Sequence, residues 1–166
     1  MAMQTRATTG EATREVLVFV LGGEEYCVDI LKVQEIRGYE KVTPIPAAPD
    51  YLKGVVNLRG AIVPVIDLRM KFGMAEPRYD AFTVVVVLRI GGRVIGAVVD
   101  AVSDVLRLAA SEVKPAPELG SVVDASFIAG LATQAGRMIL ILDIEKLLSS
   151  GELNLLREAA ADSAAT

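Results

Sequence analysis

Along the chain, apolar residues gather in short runs separated by glycine-rich breaks, a spacing that predicts strands and tight turns more than helices. Val16 to Leu21 is followed by Gly22-Gly23, a dipeptide suited to the positive φ of a two-residue hairpin turn, and then by Tyr26 to Val33. These segments predict a first hairpin. Gly54 to Leu58 and Ala61 to Ile66, joined across Arg59-Gly60, predict a second, and Phe82 to Ile90 with Arg93 to Val99, joined across Gly91-Gly92, a third. Runs such as Val84 to Leu88 and Met138 to Leu142 are apolar at every position. Both faces of those strands must therefore be covered, one by a barrel interior and the other by a second layer. Helical periodicity is confined to Asp67 to Phe72, ended by Gly73, and to Ile144 to Ala160, which is interrupted at Gly151 and could cap a barrel.

The pattern also repeats. Gly22-Gly23 recurs as Gly91-Gly92, Val33 to Ile36 as Val102 to Val105, and Pro46 and Pro49 as Pro115 and Pro117. Tyr51 to Val55 recurs as Phe127 to Leu131, and Ile66-Asp67-Leu68 as Leu142-Asp143-Ile144. One insertion of about seven residues within Glu118 to Ser126 brings all these matches into a single order, the signature of a duplicated unit. The expected fold is mainly β, two copies of a roughly five-stranded unit. The expected boundaries are 15–80 for the first unit and 81–158 for the second with its C-terminal helix, flanked by flexible tails at 1–14 and 159–166.

Composition narrows the function. The hydrophobic fraction of 52% needs a large core or apolar surface for partners, because Arg89, Arg93 and Asp100 interrupt the most apolar region before it could span a bilayer. Met1 to Glu15 is too polar for a signal peptide, so a cytoplasmic protein is expected. Lys and Arg total 17 against 21 Asp and Glu, with no basic block, which argues against nucleic acid or direct membrane insertion. Histidine is absent and Cys27 is the only cysteine, which removes Cys/His zinc sites, serine–histidine triads and internal disulfides.

The repeat serves as an internal control on the remaining motifs. Asp67 and Asp143 each lie between an apolar strand and a short helical pattern, where helix capping accounts for both. Asp100 and Asp104 lack the further oxygen ligands that a calcium site needs. Arg59 falls opposite Ala135, so the turn does not require arginine; its side chain is either a solvated turn residue or a recognition group for carboxylates. Glu35, opposite Asp104 and flanked by apolar residues, is either a structural acid or the rim of a partner groove. No nucleophile with a base can be assembled, and no cofactor is implied. A barrel enzyme using carboxylates is the competing class, and would show an enclosed polar pocket with a perturbed acid.

The segments Val28 to Ile36, Gly54-Val55-Val56-Asn57-Leu58-Arg59-Gly60, Pro64 to Arg69 and Val98-Val99-Asp100 resemble the CheW family of chemotaxis coupling proteins, over about residues 15 to 158. The resemblance implies two SH3-like barrels packed together, with no catalytic activity. It further implies that the protein bridges the cytoplasmic tips of transmembrane chemoreceptors to the CheA histidine kinase, with room for self-association in array rings. Carried over by motif, a receptor-binding groove would include Leu17, Ile30, Val33, Glu35, Ile36 and Arg59 from the first copy, with Val98 and Val105 from the second. Kinase contacts would fall on Val42, Thr43 and Lys53 at one barrel end and on Lys114, Glu118 and Leu119 at the other.

Overall fold

The computed structural model describes residues 12–74, 78–115, 127–148, 152, 154 and 158. Strands β1 (Thr13–Leu21) and β2 (Glu24–Asp29) form the first hairpin, with φ of 59° and 86° at the two turn glycines. Then follow β3 (Val33–Gly38), β4 (Leu52–Leu58), β5 (Ala61–Asp67) and the one-turn helix α1 (Leu68–Lys71). The second half contributes β6 (Val84–Ile90), β7 (Arg93–Val99), β8 (Ala101–Ala109), β9 (Val113–Lys114), β10 (Ile128–Gln134) and β11 (Arg137–Leu142). Strand order is β8-β1-β2-β11-β10-β9 in one sheet and β3-β6-β7-β5-β4 in the other. Under the repeat, β8-β1-β2-β11-β10 maps strand for strand onto β3-β6-β7-β5-β4, including the parallel pairs β11–β2 and β5–β7.

This topology corrects the expected division at residue 80. Each sheet takes a hairpin from one half of the sequence and its remaining strands, four in the six-stranded sheet and three in the five-stranded one, from the other. The physical reason lies in two very short connections. Between β2 and β3 there is only the single 3₁₀ turn Ile30–Lys32, capped by the Asp29 carboxylate, which accepts from the Leu31 amide at 2.9 Å. Between β7 and β8 there is only Asp100. Neither connection forms a hairpin turn: at each the chain bends and the next strand joins the neighbouring sheet. The expected continuous strand from Tyr26 to Val33 is broken at this corner.

Strands far apart in each order meet as the sheets roll up. Arg59, on the β4–β5 turn, reaches Glu35 on β3, and Arg137 on β11 reaches Asp104 on β8 at 2.9 Å. The alternating faces of the all-apolar strands are covered as the sequence requires. On β1, Val16 and Val18 fill the interior of the six-stranded barrel, while Leu17, Phe19 and Leu21 face the layer between barrels. On β6, Val85 and Val87 fill the five-stranded barrel, while Val86, Leu88 and Ile90 join that shared layer. The second expected helix begins as a 3₁₀ turn, Ile144–Lys146, whose neighbours Leu147 and Leu148 are buried in the shared layer. Glu152, Asn154 and Glu158 are helical; the expected apolar positions Leu155, Leu156 and Ala159 lie outside the described residues, as do the two tails except for 12–14 and the insertion at 118–126.

Candidate docking surfaces

The edge strand β3 alternates between half-buried and exposed positions, which is what a strand with one face on the core and one in solvent should show. Val33 and the preceding Ile30 lean on the shared core, and Ile36 projects with 45% of its surface exposed. Its repeat counterpart on β8, Val105, is 51% exposed. Leu31, between Ile30 and β3, is the most exposed large apolar residue among those described. Two expected groove residues are corrected by burial. Leu17 pairs with Val105 but points into the layer between barrels, and Val98 lies inside the five-stranded barrel; both are essentially inaccessible. In a strand that is apolar on both faces, neighbouring positions look alike in sequence although they belong to different cores.

Glu35 and Arg59, 24 positions apart in the chain, form an ion pair across the barrel mouth. Arg37 stands on the other Glu35 oxygen at 3.4 Å. The hydrogen bond from Arg59, with further help from Arg37, outweighs desolvation and holds the Glu35 carboxyl below its usual range, so it is charged at neutral pH. The turn beneath is shaped by its own residues: Asn57 Oδ1 accepts from the Gly60 amide at 2.8 Å, and Arg59 sits at φ 53°. The other barrel keeps the acid but takes its arginine from elsewhere. Arg137 donates to Asp104 at 2.9 Å and to both oxygens of Glu25 at 3.1 and 2.7 Å. Nothing in the repeat marks Arg137, because it stands two positions beyond Ala135, the counterpart of Arg59.

Of the expected kinase-contact residues, Thr43 bridges Val55 through paired backbone hydrogen bonds of 2.9 Å, and Val42 leans on the interior of the five-stranded barrel. Lys53 lies near the same bridge, its ammonium 5.8 Å from the Tyr79 ring. Lys114, exposed on β9, pairs with Leu131 at the repeat-related place. Glu118 and Leu119 lie outside the described residues.

The capping role of Asp67 and Asp143 holds, since each carboxylate accepts from the amide two residues on, at 2.9 and 3.1 Å. Asp67 does more. It binds Arg69 in bidentate fashion at 3.0 and 2.8 Å and accepts from the Tyr79 hydroxyl at 2.6 Å, all within the protein. Burial alone would raise its pKa, but these donors outweigh it and hold the carboxyl below the usual range. Arg69 was visible only as part of a motif, with nothing in its spacing to show that it would be interior. Among the described residues no group of three potential ligands could hold a metal ion. The Cys27 thiol is fully buried and its pKa is pushed up to about 12, which makes it inert. The void at the mouth of the five-stranded barrel, lined by Val42, Val56, Val85 and Val87 with Arg37 and Glu40 at its rim, is about 30 Å³, room for little more than one water.

Two interlocked barrels with apolar side chains displayed on their edge strands and charged pairs at their mouths define a small double-barrel module. The chain belongs to the CheW-like domain family, whose model matches residues 15–152. It is 54% identical over 147 residues to the chemotaxis protein CheW of Klebsiella aerogenes, covering 89% of each chain. With the chemotaxis protein CheW of Rhizobium meliloti it shares 40% identity, covering 89% of this chain and 92% of that one. The crystal structure of the scaffolding protein TtCheW from Thermoanaerobacter tengcongensis superposes with a TM-score of 0.78 at 31% identity, over 85% of this chain and 96% of the other.

Proposed function

We propose that this chain is a non-enzymatic adaptor that holds the cytoplasmic tips of chemoreceptors and the CheA kinase in one assembly, working in the cytoplasm at receptor clusters. The observation that carries this reading is the exposure of repeat-related apolar side chains, Ile36 and Val105, on the two edge strands of a chain whose relatives are chemotaxis proteins. A receptor tip is helical, and apolar side chains beside a charged rim suit an amphipathic helix. Ile30, Val33 and Ile36 would contact its apolar face, with Glu35, Arg59 and Val105 alongside. Val42, Thr43, Lys53 and Lys114, together with Glu118 and Leu119, would face the kinase. The competing enzyme reading calls for a polar pocket with an acid whose pKa is raised. The buried acid found here, Asp67, is shifted the other way and committed to Arg69.

Ile36→Asp tests the surface, because the position is exposed and the fold does not depend on it. The variant is expected to keep its melting temperature and to lose receptor binding by ten-fold or more, on the order of 1.4 kcal/mol, since a charge would have to be desolvated on docking. Receptor affinity equal to that of the wild type would remove β3 from the docking surface.

A further inference from the structure

The two barrels are tied at both ends of their shared core, and the ties have opposite character. At one end the Gly22 amide, in the hairpin turn of the six-stranded barrel, donates to Asp100 Oδ2 at 2.7 Å. Asp100 Oδ1 accepts at 2.6 Å from Arg69, which follows β5 of the five-stranded barrel. Arg69 is further held by Asp67, and its side chain is only 3% exposed. At the repeat-related end the Gly91 amide, in the hairpin turn of the five-stranded barrel, donates to Glu145 Oε2 at 3.1 Å. Glu145 follows β11 of the six-stranded barrel, and its other oxygen meets Lys32 at 3.1 Å.

Glu145 occupies the place of Arg69 in the repeat, and Lys32, in the β2–β3 crossover, stands one position past the counterpart of Asp100. The charges at the two ends are therefore reversed. Their environments differ more. Lys32 and Glu145 have side chains 42% and 44% exposed and share a single contact, so mobile ions screen them. The Asp67–Arg69 pair is bidentate, enclosed and joined to a tyrosine, and Asp100, whose side chain is 32% exposed, is anchored to it at 2.6 Å, so salt reaches this end less than the other. Leu68, Ile144, Leu147 and Leu148 bury apolar surface between the barrels, which opposes full separation and confines any difference to local opening.

We infer that the joint between the barrels is polarised: pinned at Asp67–Arg69–Asp100, and closed at the other end by a salt-sensitive latch, Lys32–Glu145–Gly91, that opens locally first. This holds whatever partner docks on β3. The amides of Gly22 and Gly91 report on it directly, because both turns are exposed and each amide has one carboxylate acceptor. Amide exchange at these two glycines in the full chain should be followed by NMR at about 0.05 and 0.5 M salt, where the screening length shortens several-fold. Exchange at Gly91 is expected to accelerate about two- to five-fold while Gly22 holds nearly constant. Lys32→Gln should reproduce the acceleration at low salt and remove the further response. Equal acceleration at both glycines, or an unchanged Gly91 in Lys32→Gln, would overturn the latch.

Discussion

Arg59 and Ala135 occupy the same left-handed turn position in the two barrels, with φ of 53° and 51°. The backbone there accepts a side chain of either kind, so what distinguishes Arg59 is its reach to Glu35. Arg59→Ala is expected to leave the melting temperature within about 2 °C of wild type, because exposed ion pairs contribute little to stability. Receptor-dependent kinase activation should nevertheless fall. A drop well beyond that in thermal scanning would make Arg59 structural. Asp67 is the opposite case. Its pKa is lowered in the folded state, so its contribution to stability is fully present above the ordinary aspartate value near 3.9 and is lost as pH falls through the lower folded value. Asp67→Asn leaves the interior Arg69 short of a counter-charge and is expected to cost about 3 kcal/mol at neutral pH. The variant should also show a shallower loss of stability below about pH 4 than the wild type in denaturant titrations. A parallel acid dependence in the two proteins would show that Asp67 is not the group titrating.

At the scale of elements, the hairpins and both helix caps were legible because each has a local cause: paired glycines, a two-residue turn, a carboxylate after a strand. The repeat was legible for the same reason, since Gly54 and Gly130 mark the same construction. A Cβ at Gly54 would stand 2.1 Å from the Thr43 carbonyl oxygen, and one at Gly130 would stand 2.8 Å from that of Lys114. These glycines let β4 and β10 pass close to the chain entering from Thr43 and from β9. Gly54→Ala is accordingly expected to destabilise by about 2 kcal/mol or more, measured by chemical denaturation, because the clash is with backbone that cannot rotate away. A neutral result would mean that the Thr43–Val55 bridge can be given up without cost. What could not be read was long-range. Asp29 and Asp100 look like ordinary strand ends, yet at those corners the hairpins leave their own half of the sequence. Leu17 and Val98, which the family motif places in the groove, lie in strands whose apolar pattern says that each face is covered, without saying by what.

At the scale of the whole molecule, the exchange of hairpins makes the two barrels interdependent. Each needs strands from both halves of the chain, and the layer between them contains residues from almost every strand. Neither half of the sequence is expected to fold alone. Barrels joined in this way suit the proposed adaptor, in which ligand-dependent output would arise from differential affinity between states of the assembly. The edge strands that complete each barrel are also where apolar side chains are left in solvent, so construction and proposed docking share the same elements. The most direct test is co-sedimentation of the purified chain with receptor-containing membranes, with and without CheA, reading both retention and kinase autophosphorylation. Retention accompanied by kinase activation is the predicted result. A folded sample that binds neither receptor nor kinase would contradict the adaptor role.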